Sequence, residues 1–251
     1  VWGFAVGHFL VLLWFVVMLG RVAVPPATFN ARDRPVRVRE WWRPVLIVLI
    51  GEFLFQAVVM TERSFASGLG TGKIAAFFYA GSVVAVPLAL FAAPVNTTLF
   101  PKLARAFHAG FREGRQVLIR YGAVLFGVTL LCSVFMAFVS EPLMELALAR
   151  GKFSTADARL TAHILSVLVW GLAFASLYGV VLNSFYSLSD YRTPLAGHGI
   201  RWVTLLLCGS WLIPLFGVEG LAVSCVTAQV TDTCMLGWFL LCRLVALSEA
   251  A

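Results

Sequence analysis

The sequence predicts an all-α fold, a polytopic transmembrane helix bundle of about seven spans. Three observations predict it. Of the 251 residues, 61% are hydrophobic and 12% charged, against roughly 25% charged in ordinary soluble domains. With a mean hydropathy of +0.91, the chain is too poor in polar groups to cover a soluble core, so its excess apolar surface must face lipid. The apolar residues also fall into seven continuous runs, each near the length of about 20 residues that crosses the hydrocarbon core. Runs of that kind are unlike the short alternating strands of a barrel. Finally, Lys and Arg collect in alternate loops, as the positive-inside rule requires.

The first run covers residues 1–20. It opens at Val1 with no initiator Met, basic n-region or cleavage site, so the chain is expected to be an internal segment of a longer product. Residues 21–44 read as a basic cytoplasmic linker, with Trp41 and Trp42 where an interfacial aromatic belt belongs. Pro44 is expected to start the next helix, where its missing N–H costs nothing. The second run is 45–61. The third, 74–100, is interrupted by Pro87 and Pro94, which remove backbone hydrogen bonds and predict a bend. The fourth is 118–139. Residues 142–149 are apolar but too short to span, which predicts a separate amphipathic helix on the outer surface. Ser154 and Thr155, followed by Asp157, predict a helix cap before the fifth run, 160–188. The sixth run is 200–216, Gly217 makes a tight turn, and the seventh run is 218–247.

Orientation follows from the loops. Arg21, Arg32, Arg34, Arg37, Arg39, Arg43, Lys102, Arg105, Arg112, Arg115, Arg120, Arg192, Arg201 and Arg243 are assigned to one side, fourteen in all. Arg63, Lys73, Arg150, Lys152 and Arg159, five residues, fall on the other. The richer side stays in the cytoplasm, so the sequence starts outside and ends inside.

Charges and amides within apolar runs are expensive and therefore informative. Glu52 and Gln56 lie one helical turn apart and share a face. Glu62 and Arg63 follow at the outer end of the same run, and Asp232 lies near the middle of the seventh. These five are the substrate-path candidates, with Pro87 and Pro94 as the helix-bend candidates. Each has a plainer reading: a protonated carboxyl bonded to its own helix, an interfacial ion pair, a static kink. Asn96 and Asn183 read as polar glue between helices. His163 reads as interfacial.

No catalytic motif is present: there is no GxSxG, HExxH or Walker A pattern, so no enzyme is expected and no cofactor or metal is called for. The stretch from Gly68 to Lys73 is glycine-rich, but its spacing does not fit a phosphate loop. Five cysteines, Cys132, Cys208, Cys225, Cys234 and Cys242, lie in apolar runs without metal-ligand spacing and read as buried small hydrophobes. The net charge of +7 sits in loops between spans, which argues for a membrane rather than nucleic acid.

Three stretches carry a family resemblance. The first runs from Glu62-Arg63-Ser64-Phe65-Ala66-Ser67-Gly68-Leu69-Gly70-Thr71-Gly72 through Tyr79-Ala80 and Pro87 to Thr98-Leu99-Phe100-Pro101-Lys102-Leu103. The second is Arg150-Gly151-Lys152-Phe153 with Asp157 and Leu160-Thr161-Ala162. The third is Phe185-Tyr186-Ser187-Leu188-Ser189-Asp190-Tyr191-Arg192-Thr193-Pro194, followed by Gly217 and Gly220-Leu221-Ala222. In this order and spacing the chain resembles the MurJ (MviN) family, lipid II flippases of the multidrug/oligosaccharidyl-lipid/polysaccharide exporter superfamily.

The resemblance implies that the chain covers the family's sixth to twelfth spans. Residues 1–20 would be the last helix of the first lobe, and 45–251 the six-helix bundle of the second. The rest of the N-terminal lobe and the C-terminal helices of the full-length protein would be the missing partners. It also implies alternating-access transport of a lipid-linked glycan, the peptidoglycan precursor, to the outer leaflet of the bacterial cytoplasmic membrane. A cation or membrane-potential step would reset the carrier. The sequence departs from the family where an Asp-Arg pair is common after Tyr79-Ala80: it has Gly81-Ser82. Sodium-binding members carry Asn and Asp where Leu205 and Gly209 stand. The alternatives are a flippase for another polyprenyl-linked polysaccharide, a drug antiporter of the same superfamily, or a non-transporting membrane scaffold.

Overall fold

The computed structural model describes Trp14 and residues 38–70, 72–148 and 154–249. Apart from Trp14, the predicted first span (1–20) and the linker up to residue 37 lie outside the described residues, as does the motif Arg150 to Phe153. The chain divides into two compact units, 1–43 and 44–251, and the second holds the helical bundle. Among the described residues every regular element is helical.

Among the described residues from 38 onward, eight α-helices succeed one another: α1 Val38–Ser67, α2 Lys73–Pro87, α3 Ala93–Ala109, α4 Phe111–Leu148, α5 Thr155–Leu168, α6 Trp170–Ser187, α7 Arg192–Phe216 and α8 Val218–Glu249. Among the described residues, five stretches are long and apolar enough to cross a membrane, and α5 with α6 makes a sixth if the pair counts as one span. These six correspond to the second through seventh predicted runs.

The helix boundaries have local causes. Helix α1 begins at Val38, so Pro44 lies inside it rather than at its start as expected. Between α2 and α3 the chain widens into a π-helix, Leu88–Ala92, in which the Ala93 N–H reaches back five residues to the Leu88 carbonyl. This wide turn sits between Pro87 and Pro94, where the rings remove donors that an α-helix would use. Ser154 accepts the Asp157 N–H, and the Asp157 carboxylate accepts the Ser154 N–H, a reciprocal cap that opens α5 as expected. Gly217 turns between α7 and α8 at φ +61°, a left-handed conformation that favours glycine.

Two further expectations need correction. Residues 142–149 do not form a separate surface helix: α4 runs through Pro142 to Leu148. Its buried positions Gly114, Leu118, Gly122, Leu125, Thr129, Ser133, Met136, Ser140 and Met144 recur every three or four residues, one stripe that crosses the proline unbroken. Burial of Met144 in the core holds that last turn in register. The fifth run is also not one straight helix: α5 and α6 meet at Val169 with a bend of 43°. There the Leu172 N–H bonds the Val169 carbonyl, three residues back, so the helix tightens and changes direction.

Two apolar cores stack along the bundle. One, at the Gly217 end, gathers Phe77, Met136, Met144, Ile164, Leu165, Leu172 and Leu221. The other, at the Gly110 end, gathers Leu99, Leu103, Phe107, Leu118, Phe185, Leu236 and Leu240. The outer faces stay apolar as well: Phe138 is 85% exposed and Phe53 77%. That is the surface a bilayer covers. Cys234 and Cys242 also sit on exposed faces of α8, so they are not the buried residues the sequence suggested. Asn183 Nδ2 donates to the Asn96 carbonyl at 3.1 Å, and the Thr129 and Ser176 hydroxyls meet at 2.7 Å, tying α6 to α3 and α4.

Candidate functional site

Polar side chains gather at the level between the two cores. Helix α7 positions most of them. Its Gly197, His198, Leu205 and Gly209 are buried on one face, and Arg201, four residues after Gly197, shares that face. The glycines let neighbours come close. A Cβ at Gly197 would stand 2.7 Å from Asp232 Oδ1 of α8, and one at Gly209 would stand 2.6 Å from the Phe65 ring of α1. Trp202 Nε1 donates to Thr61 Oγ1 at 2.9 Å, which fixes α1 beside α7 and brings Glu62 to the level of Arg201. A small apolar cluster, Val58, Leu205 and Ala228, joins α1, α7 and α8 there.

The result is a cavity of about 410 Å³ with Glu62, Arg201, Cys225 and Gln229 among its walls, and with Phe77, Phe78, Gly81 and Ser82 on the α2 side. Gln229 Nε2 donates to Thr233 Oγ1 at 3.1 Å, and Thr233 donates to the Phe174 carbonyl at 3.2 Å, so the polar part of α8 is locked to α6. Asp232 is fully buried next to it, and neither carboxylate oxygen has a protein hydrogen-bond partner. Arg201 Nε is likewise buried without one, while the guanidinium carbon stands 5.8 Å from the Phe55 ring centre. Tyr178 OH and His198 Nε2 lie 3.2 Å apart.

The sequence candidates divide accordingly. Glu62 lines the cavity; Asp232 is not among its walls and lies buried against Gly197 of α7. Glu52 and Gln56 share an exposed stretch of α1 and are not among the cavity walls, although Glu52 is within electrostatic reach of Tyr178 and Tyr186. Arg63 is exposed and borders a separate shallow depression with Phe78. Pro87 and Pro94 flank the π-helix below the cavity wall of α2. Among the described residues, no three His, Cys, Asp or Glu side chains converge on a metal-sized site.

Sequence reasoning missed Arg201 by counting it among the cytoplasmic loop cations. In the structure it lies within α7, nine residues after the helix start at Arg192, which places it about 14 Å along the axis. The signal was available: Thr193-Pro194 marks a helix start well before the apolar run at residue 200.

Known proteins match this fold and sequence. The family model for "Lipid II flippase MurJ" matches residues 1–251. A "Probable lipid II flippase MurJ" from Bdellovibrio bacteriovorus is 26% identical over 243 residues, 94% of this chain and 45% of that protein. One from Helicobacter pylori strain J99 is 30% identical over 222 residues, 84% of this chain and 47% of that protein. The chain thus spans about half the length of these relatives. Among solved structures, "Lipid II flippase MurJ, inward closed conformation" superimposes with a TM-score of 0.67 at 21% identity, over 76% of this chain and 40% of that one. The family match extends over the full sequence, and the chain belongs to the MurJ lipid II flippase family.

Proposed function

We propose that this chain forms the second lobe, with the last helix of the first, of a carrier that moves lipid II from the inner to the outer leaflet of the bacterial cytoplasmic membrane by alternating access. The observation that carries the reading is the family match over residues 1–251, and the cavity with its polar wall of Glu62, Arg201 and Gln229 supports it. A diphosphate headgroup does not cross hydrocarbon unaided, and a polar path between two lobes lowers that barrier. In this reading Glu52, Gln56, Glu62, Arg63 and Asp232 line or gate the path. The π-helix between Pro87 and Pro94 gives the α2–α3 span a place to flex. The protein is a transporter without a catalytic step.

Complementation tests this. The complete reading frame is expressed in a strain depleted of its own lipid II flippase, alongside Glu52→Ala, Glu62→Ala, Arg63→Ala and Asp232→Ala at matched membrane levels. The parent sustains growth and flipping, and the variants impair both. If every variant flips lipid II as the parent does, the site assignment is wrong.

One observation favours a second reading. Gly81 and Ser82 stand in the cavity wall where the family often has an Asp-Arg pair, which suits a different lipid-linked glycan or a drug-like cargo. Failure of the parent to complement, together with a sugar-polymer gene cluster beside the gene, would favour it.

A further inference from the structure

Helices α3 and α4 meet at Gly110, and the last turns of α8 pass beside that junction. Between them lies a second cavity, of about 490 Å³, which shares no residue with the cavity of Glu62 and Arg201. Its walls are of two kinds. Arg112 and Arg115 of α4 are three residues apart and share a helix face. Leu241, Leu244 and Val245 of α8 form an apolar stripe at the same spacing. Leu244 is buried in the core at this end, whereas Leu241 is 49% exposed and Val245 52%. Both arginines are exposed, and among the described residues neither has an ion pair or a hydrogen bond. Other cations at this end are engaged. Lys102 Nζ donates to Tyr121 OH at 3.0 Å, Arg105 Nε donates to the Pro101 carbonyl at 3.2 Å, and Arg243 pairs with Asp190. Glu113, between the two arginines in sequence, is not among the cavity walls. The apolar run of α4 begins at residue 118, so Arg112 and Arg115 stand about 9 and 4.5 Å before it along the axis. That is the depth of lipid headgroups.

We propose that this cavity binds an anionic phospholipid, its phosphate held by Arg112 and Arg115 and the start of an acyl chain lying along Leu241 and Val245. Guanidinium forks match phosphate oxygens in geometry and charge. A free phosphate would satisfy the arginines and leave Leu241 and Val245 uncovered. An uncharged lipid would cover the leucine and valine and leave two cations without a counter-charge, and a zwitterionic one brings a cation of its own. A lipid with a net negative head meets both demands, as basic pockets between membrane helices do elsewhere. The volume lies within the range of about 300–1,000 Å³ usual for ligand sites. A lipid seated there would bridge the start of α4 and the end of α8.

Lipid titration is the test. The protein from the complete reading frame is purified in detergent and stripped of lipid, and bound lipids are counted by native mass spectrometry as dioleoylphosphatidylglycerol is added. Dioleoylphosphatidylcholine, with the same chains, and inorganic phosphate are the comparison ligands. The parent is set beside Arg112→Gln/Arg115→Gln and Arg105→Gln/Arg120→Gln, the second of which removes equal charge outside the cavity. All four arginines are exposed, so both variants should fold as the parent does. The parent should bind one phosphatidylglycerol about tenfold or more tighter than phosphatidylcholine. Arg112→Gln/Arg115→Gln should lose that preference, and Arg105→Gln/Arg120→Gln should keep it within about twofold. Leu241→Ala/Val245→Ala should weaken both lipids and leave the preference in place. Equal affinity for the two lipids overturns the site. So does an equal loss in the two arginine pairs, which would mean general attraction to a basic surface, or displacement of the lipid by inorganic phosphate. Lipid retention is read without transport, so a failure here is separate from a failure of the lipid II reading.

Discussion

The Asp190 carboxylate binds the Arg243 guanidinium, and in the same position it accepts the Arg192 and Thr193 N–H groups at 3.1 and 3.2 Å. One side chain therefore starts α7 and clasps it to the far end of α8. The Thr193 hydroxyl adds a fourth donor at 2.8 Å, to the oxygen that Arg243 also binds. This gives a physical role to the Ser189-Asp190-Tyr191-Arg192-Thr193-Pro194 motif. Asp190→Ala removes all of these bonds and should cost about 1–3 kcal/mol, since charge-assisted and helix-capping bonds are among the stronger ones. Asp190→Asn should cost less, because it keeps an acceptor for the backbone. Unfolding in detergent checks both, and equal stability of Asp190→Ala and the parent would refute the clasp.

Close packing of α7 on α8 gives a second prediction. A Cβ at Gly220 would lie 2.3 Å from the Leu212 carbonyl oxygen, a backbone atom that cannot swing away. A Cβ at Gly237, on the same helix, meets nothing within 4 Å. Gly220→Ala should destabilise by roughly 1–3 kcal/mol, whereas Gly237→Ala should be neutral or stabilise by up to about 1 kcal/mol through helix propensity. Melting temperatures of the two variants compared side by side decide it.

The six apolar runs from residue 45 on, their order, and the Ser154 and Gly217 boundaries were legible because each rests on a local pattern: an apolar run, a cap, a left-handed turn. The continuation of α4 through Pro142 was not, because it depends on where Met144 is buried, a tertiary fact. The break at Val169 was equally silent in an uninterrupted apolar run. Within the site, Glu62 and Asp232 stood out as charges in apolar surroundings. Arg201 did not, since it sits next to the loop cations in sequence and only the early start of α7 moves it inward. The fold also separates residues that adjacency grouped: Glu62 lines the cavity while Arg63 faces out.

Polar contacts between helices give a third prediction. Thr129 and Ser176 are both fully buried and bonded to each other at 2.7 Å. Each hydroxyl also lies within bonding distance of a carbonyl of its own helix, and with one proton apiece the hydroxyl that donates to its partner gives up its own carbonyl. A double-mutant cycle with Thr129→Val and Ser176→Ala should return a coupling of about 0.6 kcal/mol, the usual scale for such pairs in membranes. A coupling of zero would mean that the self-helix bonds account for both residues.

Exposed α1 residues should behave differently from buried ones. Glu52 and Gln56 are exposed, and neither makes a tertiary hydrogen bond among the described residues. Glu52→Ala and Gln56→Ala should therefore shift stability by no more than about 0.5 kcal/mol, so any loss of transport reports on the path itself. A marked drop in melting temperature for either variant would assign the residue to structure instead.

Carriage of lipid II across the bilayer by this fold is tested most directly in vesicles. The protein from the complete reading frame is reconstituted with lipid II in one leaflet, and a membrane-impermeant label follows its appearance in the other. The parent should move lipid II faster than protein-free vesicles, and Glu62→Ala should not. Movement no faster than the protein-free rate, while a different polyprenyl-linked glycan crosses in the same vesicles, would contradict lipid II as the cargo.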